Sequence, residues 1–440
     1  MTIQLDWPPE LVEKLTAKAQ QKGRAESMKL GFLHVRGEPW ESGVTRYGRI
    51  LAQEASQRSD LSILEADLSL SGAAQEDFQS ARQCGVSLSG VDLFHVQFSP
   101  YLWGIGRTGA KLLRELKRTV NSPMVVTFHD LRSHAYPQQH AVALFKECFR
   151  DVRKSGGGLC WSLWRGFRQV QNGYLRDRRS LRWITRNSAV VIVCTAEERQ
   201  RLINLSHGSP VAVIPHFVER RQPQLTPQAA KMTVGLEKFN VVLLAGFIFP
   251  SKGYEVALEA LKLLPAEYFL VFAGRASAGQ DSYVHSLRQQ ARLLGVESRL
   301  HITGGLSDFD METYLLAVDV AICPFMQMSA SGSFSTWLSV GTAPIIASDL
   351  PQIQWYNAMV PGAITVFPAG DAQALAVLIS NANADSGRAA RLKLRDLLSV
   401  TRIVDEHLGL YRNLLAHRTP GSRSPVAATV GTSSPWQEDG

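Results

Sequence analysis

Three short stretches of this 440-residue chain combine residue types and spacings that could do chemistry. In VDVAICPFMQMSASGSFSTWLSVGTAPIIASDL, Val318 to Leu350, an apolar run ends at Cys323 and Pro324, and a Ser/Gly-rich loop, Ser329 to Ser333, precedes a helix-sized segment and a second apolar run. That order is strand, loop, helix, strand. The loop then lies at the carboxyl end of a parallel strand, where the unpaired N–H groups of the following helix hold a phosphate. Ser331-Gly332-Ser333 is the candidate cradle for a diphosphate; small residues would equally serve a tight turn in solvent. In FPSKG, Lys252 occupies a strand-to-helix turn. A lysine there can reach the helix N-terminus and stabilise a leaving group that gains negative charge, or it is a solvated surface cation. In SDFDMETYLL, Asp308 and Asp310 form an acidic pair, but the spacing after Ser307 is that of a helix N-cap with an acidic first turn rather than a metal site.

The positions of charge and cysteine narrow the classes. The chain carries a net charge of +8, and between Lys146 and Arg186 eleven Lys/Arg face only Glu147, Asp151 and Asp177, which accounts for the whole excess. There, FRDVRKSGGGLCWSLWRGFRQVQNGYLRDRRSLRWITR interleaves the cations with Phe149, Trp161, Trp164, Phe167, Tyr174 and Trp183. Trp161, Trp164, Arg165 and Arg168 are candidates for contact with an anionic membrane surface or an acceptor. The aromatics also fit one buried helical face, the arginines a phosphorylated acceptor, and the mixture a single-stranded nucleic acid, the least favoured partner. Five cysteines without C-x-x-C spacing argue against a disulfide framework or a zinc site. No apolar run reaches the roughly 18 residues that span a bilayer, and the N-terminus lacks a basic region followed by an apolar one. A cytoplasmic setting is expected, on the inner face of the membrane if the basic segment docks there.

The elements that must position these groups alternate. Residues 1–27 form an appendage, TIQLDW reading as a strand and the stretch after Pro8-Pro9 as a capped helix, faintly similar to ribbon-helix-helix DNA-binding proteins without their second helix. From Met28, KLGFLHV, SILEADL, VDLFHVQF, PMVVTFHD, AVVIVCT and VAVIPHFVE read as buried strands separated by helical segments. This first domain covers 28–219, residues 220–238 are a polar, proline-bearing linker, and the pattern restarts over 239–395 with NVVLLAGF, YFLVFAG, RLHITGG and the stretch described above. TRIVDEHLGLYRNLLAH, within 396–417, is a last helix expected to pack back across the first domain, and 418–440 is a Ser/Thr/Pro/Gly-rich tail expected to be disordered. Strand–helix alternation implies α/β architecture with parallel sheets covered on both faces: two doubly wound, Rossmann-like domains facing a cleft.

Taken together, GFIFPSKGYEVALEAL, VFAGR, RLHITGGLSDFDMETYLLAVDVAICPF and SVGTAPIIASDLP, in that order, resemble the C-terminal half of retaining GT-B glycosyltransferases of the family-4 kind (glycosyl transferase group 1). FLHV…SGVTRY, DLFHVQFSP, VVTFHD and SAVVIVCTAEERQRL…VAVIPHFVE resemble the N-terminal half more loosely, and the likeness spans roughly residues 28 to 416. It implies a transferase that moves a hexose from a nucleoside diphosphate sugar to a hydroxyl acceptor, a glycan, glycolipid or lipid-linked intermediate. Retention, no metal and no cofactor beyond the donor are implied as well. By the same likeness Lys252 and His129 are the catalytic pair: Lys252 contacts the diphosphate, and His129 lines the sugar pocket, where a neutral imidazole could hydrogen-bond the transferring sugar, although a histidine beside an aspartate, here Asp130, is also a common structural pair. Gly43 brings a backbone amide toward phosphate or sugar, Gly246 precedes the position of a family arginine, and Arg275 approaches base or ribose or remains in solvent. Two departures stand out. Where relatives carry two glutamates, this chain has Met328 and Thr336, and the family arginine is Phe247. Neither Met328 nor Thr336 offers a carboxylate's paired acceptors, so Ser331, Gly332, Ser333 and Thr336 would have to hold the donor through hydroxyls and amides. The alternative is a catalytically degenerate GT-B protein that binds sugar nucleotides or serves as a partner subunit.

Overall fold

A computed structural model describes residues 27–36, 42–100, 102–103, 107–129, 179–205, 210–277, 279–328, 332–340 and 343–416. Two six-stranded sheets carry these residues. The first comprises β1 (Met28–Val35), β2 (Leu61–Leu68), β3 (Leu93–Phe98), β4 (Met124–Phe128), β5 (Val190–Val193) and β6 (Val211–Val213) in the order β2-β1-β3-β4-β5-β6. The second comprises β7 (Asn240–Ala245), β8 (Tyr268–Ala273), β9 (Leu300–Ile302), β10 (Val320–Cys323), β11 (Ile345–Ser348) and β12 (Thr365–Phe367) in the order β12-β11-β10-β7-β8-β9. Every pairing is parallel. LFHVQF, MVVTF, VVIV, VAIC and IIAS are buried at every position, as sheets covered by helices on both faces require. In each sheet the winding reverses once, between β1 and β3 and between β7 and β10, and loops diverging at such a reversal open a ligand crevice at the carboxyl ends.

Four helices matter for the site. α1 (Gly43–Ser56) starts where Ser42 Oγ accepts from the Thr45 N–H at 3.3 Å, and buries Tyr47, Leu51, Ala52 and Ala55. α2 (Tyr254–Leu263) follows a one-turn 3₁₀ segment, Pro250–Lys252. α3 (Gly332–Val340) buries Phe334, Trp337 and Leu338, and α4 (Val400–Ala416) ends the described chain.

α4 packs on the first domain. Thr401 Oγ1 donates to Glu54 (2.7 Å), Arg412 pairs with Asp60 (2.8 Å), Arg58 pairs with Asp405 (2.7 Å), and the Tyr411 hydroxyl meets His95 Nδ1 (2.6 Å). One apolar cluster accordingly joins Leu30, Tyr47 and Phe217 of the first domain to Val241 and Leu243 of the second and to Ile403 and Tyr411 of α4.

Two features differ from the sequence pattern. The polar segment 220–238 contains a helix, Pro227–Thr233, which Thr226 caps and proline starts; Lys231 Nζ ties it to Asp319 at 2.5 Å and to the Phe239 carbonyl at 3.0 Å. Its polarity marked a connector, but the cap, the Asp319 contact and the burial of Ala230 and Leu236 in the core order it. β12 adds a short strand that composition did not mark off; its pairing with β11 supplies the hydrogen bonds that three residues alone could not.

Candidate functional site

Gly246, Lys252 and Ser333 converge at the carboxyl end of β7. Gly253 has φ +72°, and a Cβ there would fall 1.8 Å from the Pro324 carbonyl oxygen, so only glycine lets the turn close against the end of β10. That closure aims Lys252 inward. The lysine is 8% exposed; its Nζ donates to Ser333 Oγ at 2.6 Å and to the Ala245 carbonyl at 3.2 Å, and lies 5.4 Å and 5.8 Å from the ring centres of Phe249 and Phe325. Gly246, at φ +105°, leaves the space between: a Cβ there would stand 2.4 Å from Ser333 Oγ and 2.6 Å from Lys252 Nζ. Ser333 is the second residue of α3, so its hydroxyl adjoins N–H groups that no intrahelical carbonyl can satisfy. An ammonium, a hydroxyl and a helix N-terminus around a glycine backbone are the groups a candidate anion site would need. Nearby Cys323 is fully buried, and burial pushes its thiol up to about 12 against the opposing charge of Lys252.

The remaining donor-side candidates divide. Thr336 Oγ1 donates to the Gly332 carbonyl at 2.7 Å, so its hydroxyl is engaged by its own helix. Met328 is buried in the core. Arg275 is exposed on the loop after β8, its guanidinium carbon 5.5 Å from the centre of the Phe247 ring. Ser331, Trp161, Trp164, Arg165 and Arg168 lie outside the described residues, as do Asp130, most of residues 1–27 and the 418–440 tail. Ser307 Oγ accepts from the Asp310 N–H at 3.1 Å, the cap expected there, and no group of three His, Cys, Asp or Glu among the described residues is placed to hold a metal ion.

The first domain contributes His129 and Gly43. His129 follows β4 and is 6% exposed. Its Nε2 lies 2.7 Å from Gln97 Oε1 and its Nδ1 3.0 Å from His216 Nε2. An amide oxygen only accepts, so His129 carries its hydrogen on Nε2 and takes the His216 N–H on Nδ1. Both nitrogens are thereby committed inside the domain. Gln97 in turn reaches His95 (3.3 Å), whose Nε2 meets Thr127 Oγ1 at 2.7 Å and whose Nδ1 meets Tyr411. Burial, reinforced by their neighbours' charges, holds His95 and His129 neutral with pKa values well below the ordinary imidazole range, and it lowers His216 and His407 to about 4. Gly43 opens α1 at the reversal point of the first sheet, and among the described residues nothing lies within 4 Å of a hypothetical Cβ there.

Sequence reasoning passed over Gln97, His216, Tyr411 and Arg46. A signal existed for the first: His95 and Gln97 are two apart in a fully buried strand, and polar residues sharing one face of such a strand must find partners. Arg46 lies one turn into α1 and bridges the domains, its Nε and Nη2 gripping Glu219 at 2.7 and 2.8 Å and its Nη1 reaching Asp308 at 3.2 Å. Glu219's hydrogen bonds raise the guanidinium above its ordinary pKa. Across the same seam Gln352 Nε2 donates to Glu197 at 2.7 Å.

Two parallel six-stranded sheets of this order, covered by helices, match the GT-B class of two-domain, Rossmann-like proteins. Residues 230–394 match the family model described as glycosyl transferases group 1. Anabaena HepE, solved in complex with UDP and glucose, is 15% identical with a TM-score of 0.63, over 88% of this chain and 100% of that one. Sucrose-phosphate synthase of Thermosynechococcus elongatus is 16% identical with a TM-score of 0.64, over 89% and 100%. WaaG, a glycosyltransferase involved in lipopolysaccharide biosynthesis, is 14% identical with a TM-score of 0.55, over 87% and 99%. At such identities the likeness speaks for the fold. No curated protein matches the chain.

Proposed function

We propose that this protein is a retaining glycosyltransferase that moves a hexose from a nucleoside diphosphate sugar to the hydroxyl of a glycan, glycolipid or lipid-linked acceptor in the interdomain cleft, without a metal. The observation that carries this reading is the convergence of Lys252 Nζ, Ser333 Oγ and the start of α3 on Gly246, within a segment that matches a glycosyl transferase domain. Structural neighbours solved with UDP and UDP-glucose support a nucleotide-sugar donor. As the glycosidic bond breaks, negative charge grows on the diphosphate; the Lys252 ammonium, the Ser333 hydroxyl and the α3 amides stabilise it there, more strongly than in the intact donor. Gly43 offers the first domain's backbone to donor or acceptor. His129, with both nitrogens engaged, serves as a rigid neutral wall of the sugar pocket and not as a proton carrier. Calorimetry with UDP- and GDP-sugars at millimolar concentration tests the reading, and absence of binding to all of them overturns it.

One observation favours a second reading, a nucleotide-binding protein without turnover: no carboxylate stands at Met328 or Thr336, and the Thr336 hydroxyl is already bonded to Gly332. Donor hydrolysis or transfer that Lys252→Ala abolishes would eliminate that reading. For the basic segment we propose contact with an anionic cytoplasmic membrane face; among the described residues no helix is long and apolar enough to cross a bilayer. Liposome flotation is expected to recover the protein only with anionic lipid, and equal recovery on neutral vesicles would refute the contact.

A further inference from the structure

The loops after β7 and β8 are fastened together beside the Lys252 site. The Gly246 N–H donates to the Ala273 carbonyl (2.8 Å), the Ile248 N–H to the Arg275 carbonyl (2.8 Å), and the Ser277 N–H to the Ile248 carbonyl (3.0 Å). Gly246 and Gly274 lie back to back, for a Cβ on Gly274 would fall 2.2 Å from the Gly246 oxygen. Their next neighbours in the chain, Phe247 and Arg275, are therefore side by side, and the guanidinium rests 5.5 Å from the centre of the phenyl ring. Across from it, Gly305 leaves 3.8 Å between its hypothetical Cβ and Arg275 Cδ. Among the described residues Arg275 has no carboxylate within ion-pair distance. This differs from Arg46 and Arg49, whose charges are met by acidic side chains.

An aromatic shelf attracts a guanidinium by about 0.5–1 kcal/mol and restricts its rotamers, yet leaves its charge uncancelled and its N–H fork available for a planar or tetrahedral anion. We propose that Arg275, held on Phe247, is the second cation of the donor site and binds the diphosphate, with Lys252 on the other side of Gly246. The assignment rests on the proposed function, and it names the phosphate oxygens as the Arg275 ligand in place of the base or ribose.

Titration calorimetry with three probes, inorganic pyrophosphate, UDP and uridine, tests it on the full-length protein, with GDP and guanosine as the parallel pair. Arg275→Ala is expected to weaken pyrophosphate and the nucleoside diphosphate by about tenfold, the scale of a hydrogen bond to a charged group, and to leave the nucleoside unchanged. Phe247→Leu, which keeps an apolar side chain but removes the shelf, is expected to produce a smaller loss with the same selectivity. Unchanged diphosphate affinity in Arg275→Ala refutes the assignment while the donor reading stands. Losses confined to nucleoside and nucleoside diphosphate, with pyrophosphate unaffected, also refute it, because Arg275 would then read the base. A wild-type protein that binds neither pyrophosphate nor any nucleoside diphosphate overturns the donor reading itself.

Discussion

Lowering the pH from 7.5 to 5 is expected to strip several kilocalories from the stability of this protein, and the buried histidines set the amount. His216 and His407 have ordinary values of 6.5 and folded values of about 4; desolvation dominates both. In the unfolded chain they take up protons as the pH falls through 6.5, whereas in the folded chain they resist until about 4. Between those limits the unfolded state binds more protons, so stability rises with pH and is lost on acidification. Each histidine then costs about 1.4 kcal/mol per pH unit, which by pH 5 gives about 2 kcal/mol each and about 4 kcal/mol for the pair. His95 and His129, also shifted down, act in the same direction. Against a native stability of about 5–15 kcal/mol, that loss is large. Guanidinium denaturation at pH 7.5, 6.5, 5.5 and 5.0 should show little change over the first interval and a steep fall over the last two. Glu197 and Glu406, whose carboxyls burial pushes up, work in the opposite direction, and comparison with His407→Leu cancels them. The variant removes one titrating group, and also a buried Nε2 that has no hydrogen-bond partner among the described residues, so its slope should fall by about 1.4 kcal/mol per pH unit. A wild-type stability that is flat from pH 6.5 to 5, or a slope unaltered by His407→Leu, would refute the reasoning.

Three further outcomes are expected. Ser333→Ala removes the 2.6 Å partner of Lys252 and should weaken nucleoside diphosphate binding about tenfold or more, with thermal stability little altered; calorimetry beside a melting curve separates the two effects. Gly253→Ala places a Cβ 1.8 Å from the Pro324 oxygen at a φ of +72°. Backbone strain of about 1–2 kcal/mol, increased by that overlap, should lower the melting temperature and abolish donor binding together. Arg46→Ala breaks a half-exposed cluster whose effect on stability is at most about 1 kcal/mol, yet it unfastens Glu219 from Asp308 across the seam. Small-angle scattering should show a wider distribution of interdomain distances in the variant, and in the wild type at high salt.

What the sequence by itself determined depends on neighbours along the chain. Continuous apolar runs such as MVVTF and VAIC are buried on both faces because a parallel sheet demands it, and the helix start at Ser307 follows from a side chain able to accept its N–H groups; the helix from Gly43, inside a stretch that reads as loop through Gly48, needed the structure. The glycine after Lys252 marked a turn because only glycine tolerates the backbone there. The meeting of residues distant in the chain was decided by the order of the strands. Lys252 reaches Ser333 across 81 positions, His129 reaches His216 across 87, and His95 reaches Tyr411 across 316. No local periodicity encodes those distances. They arise where the sheets reverse their winding and where α4 returns to the first domain, bringing strand ends together regardless of their separation in sequence. The same packing settled what each group can do: it left the Lys252 ammonium beside a glycine backbone, and it closed both nitrogens of His129 inside a neutral network that the sequence showed only as a histidine ending a strand.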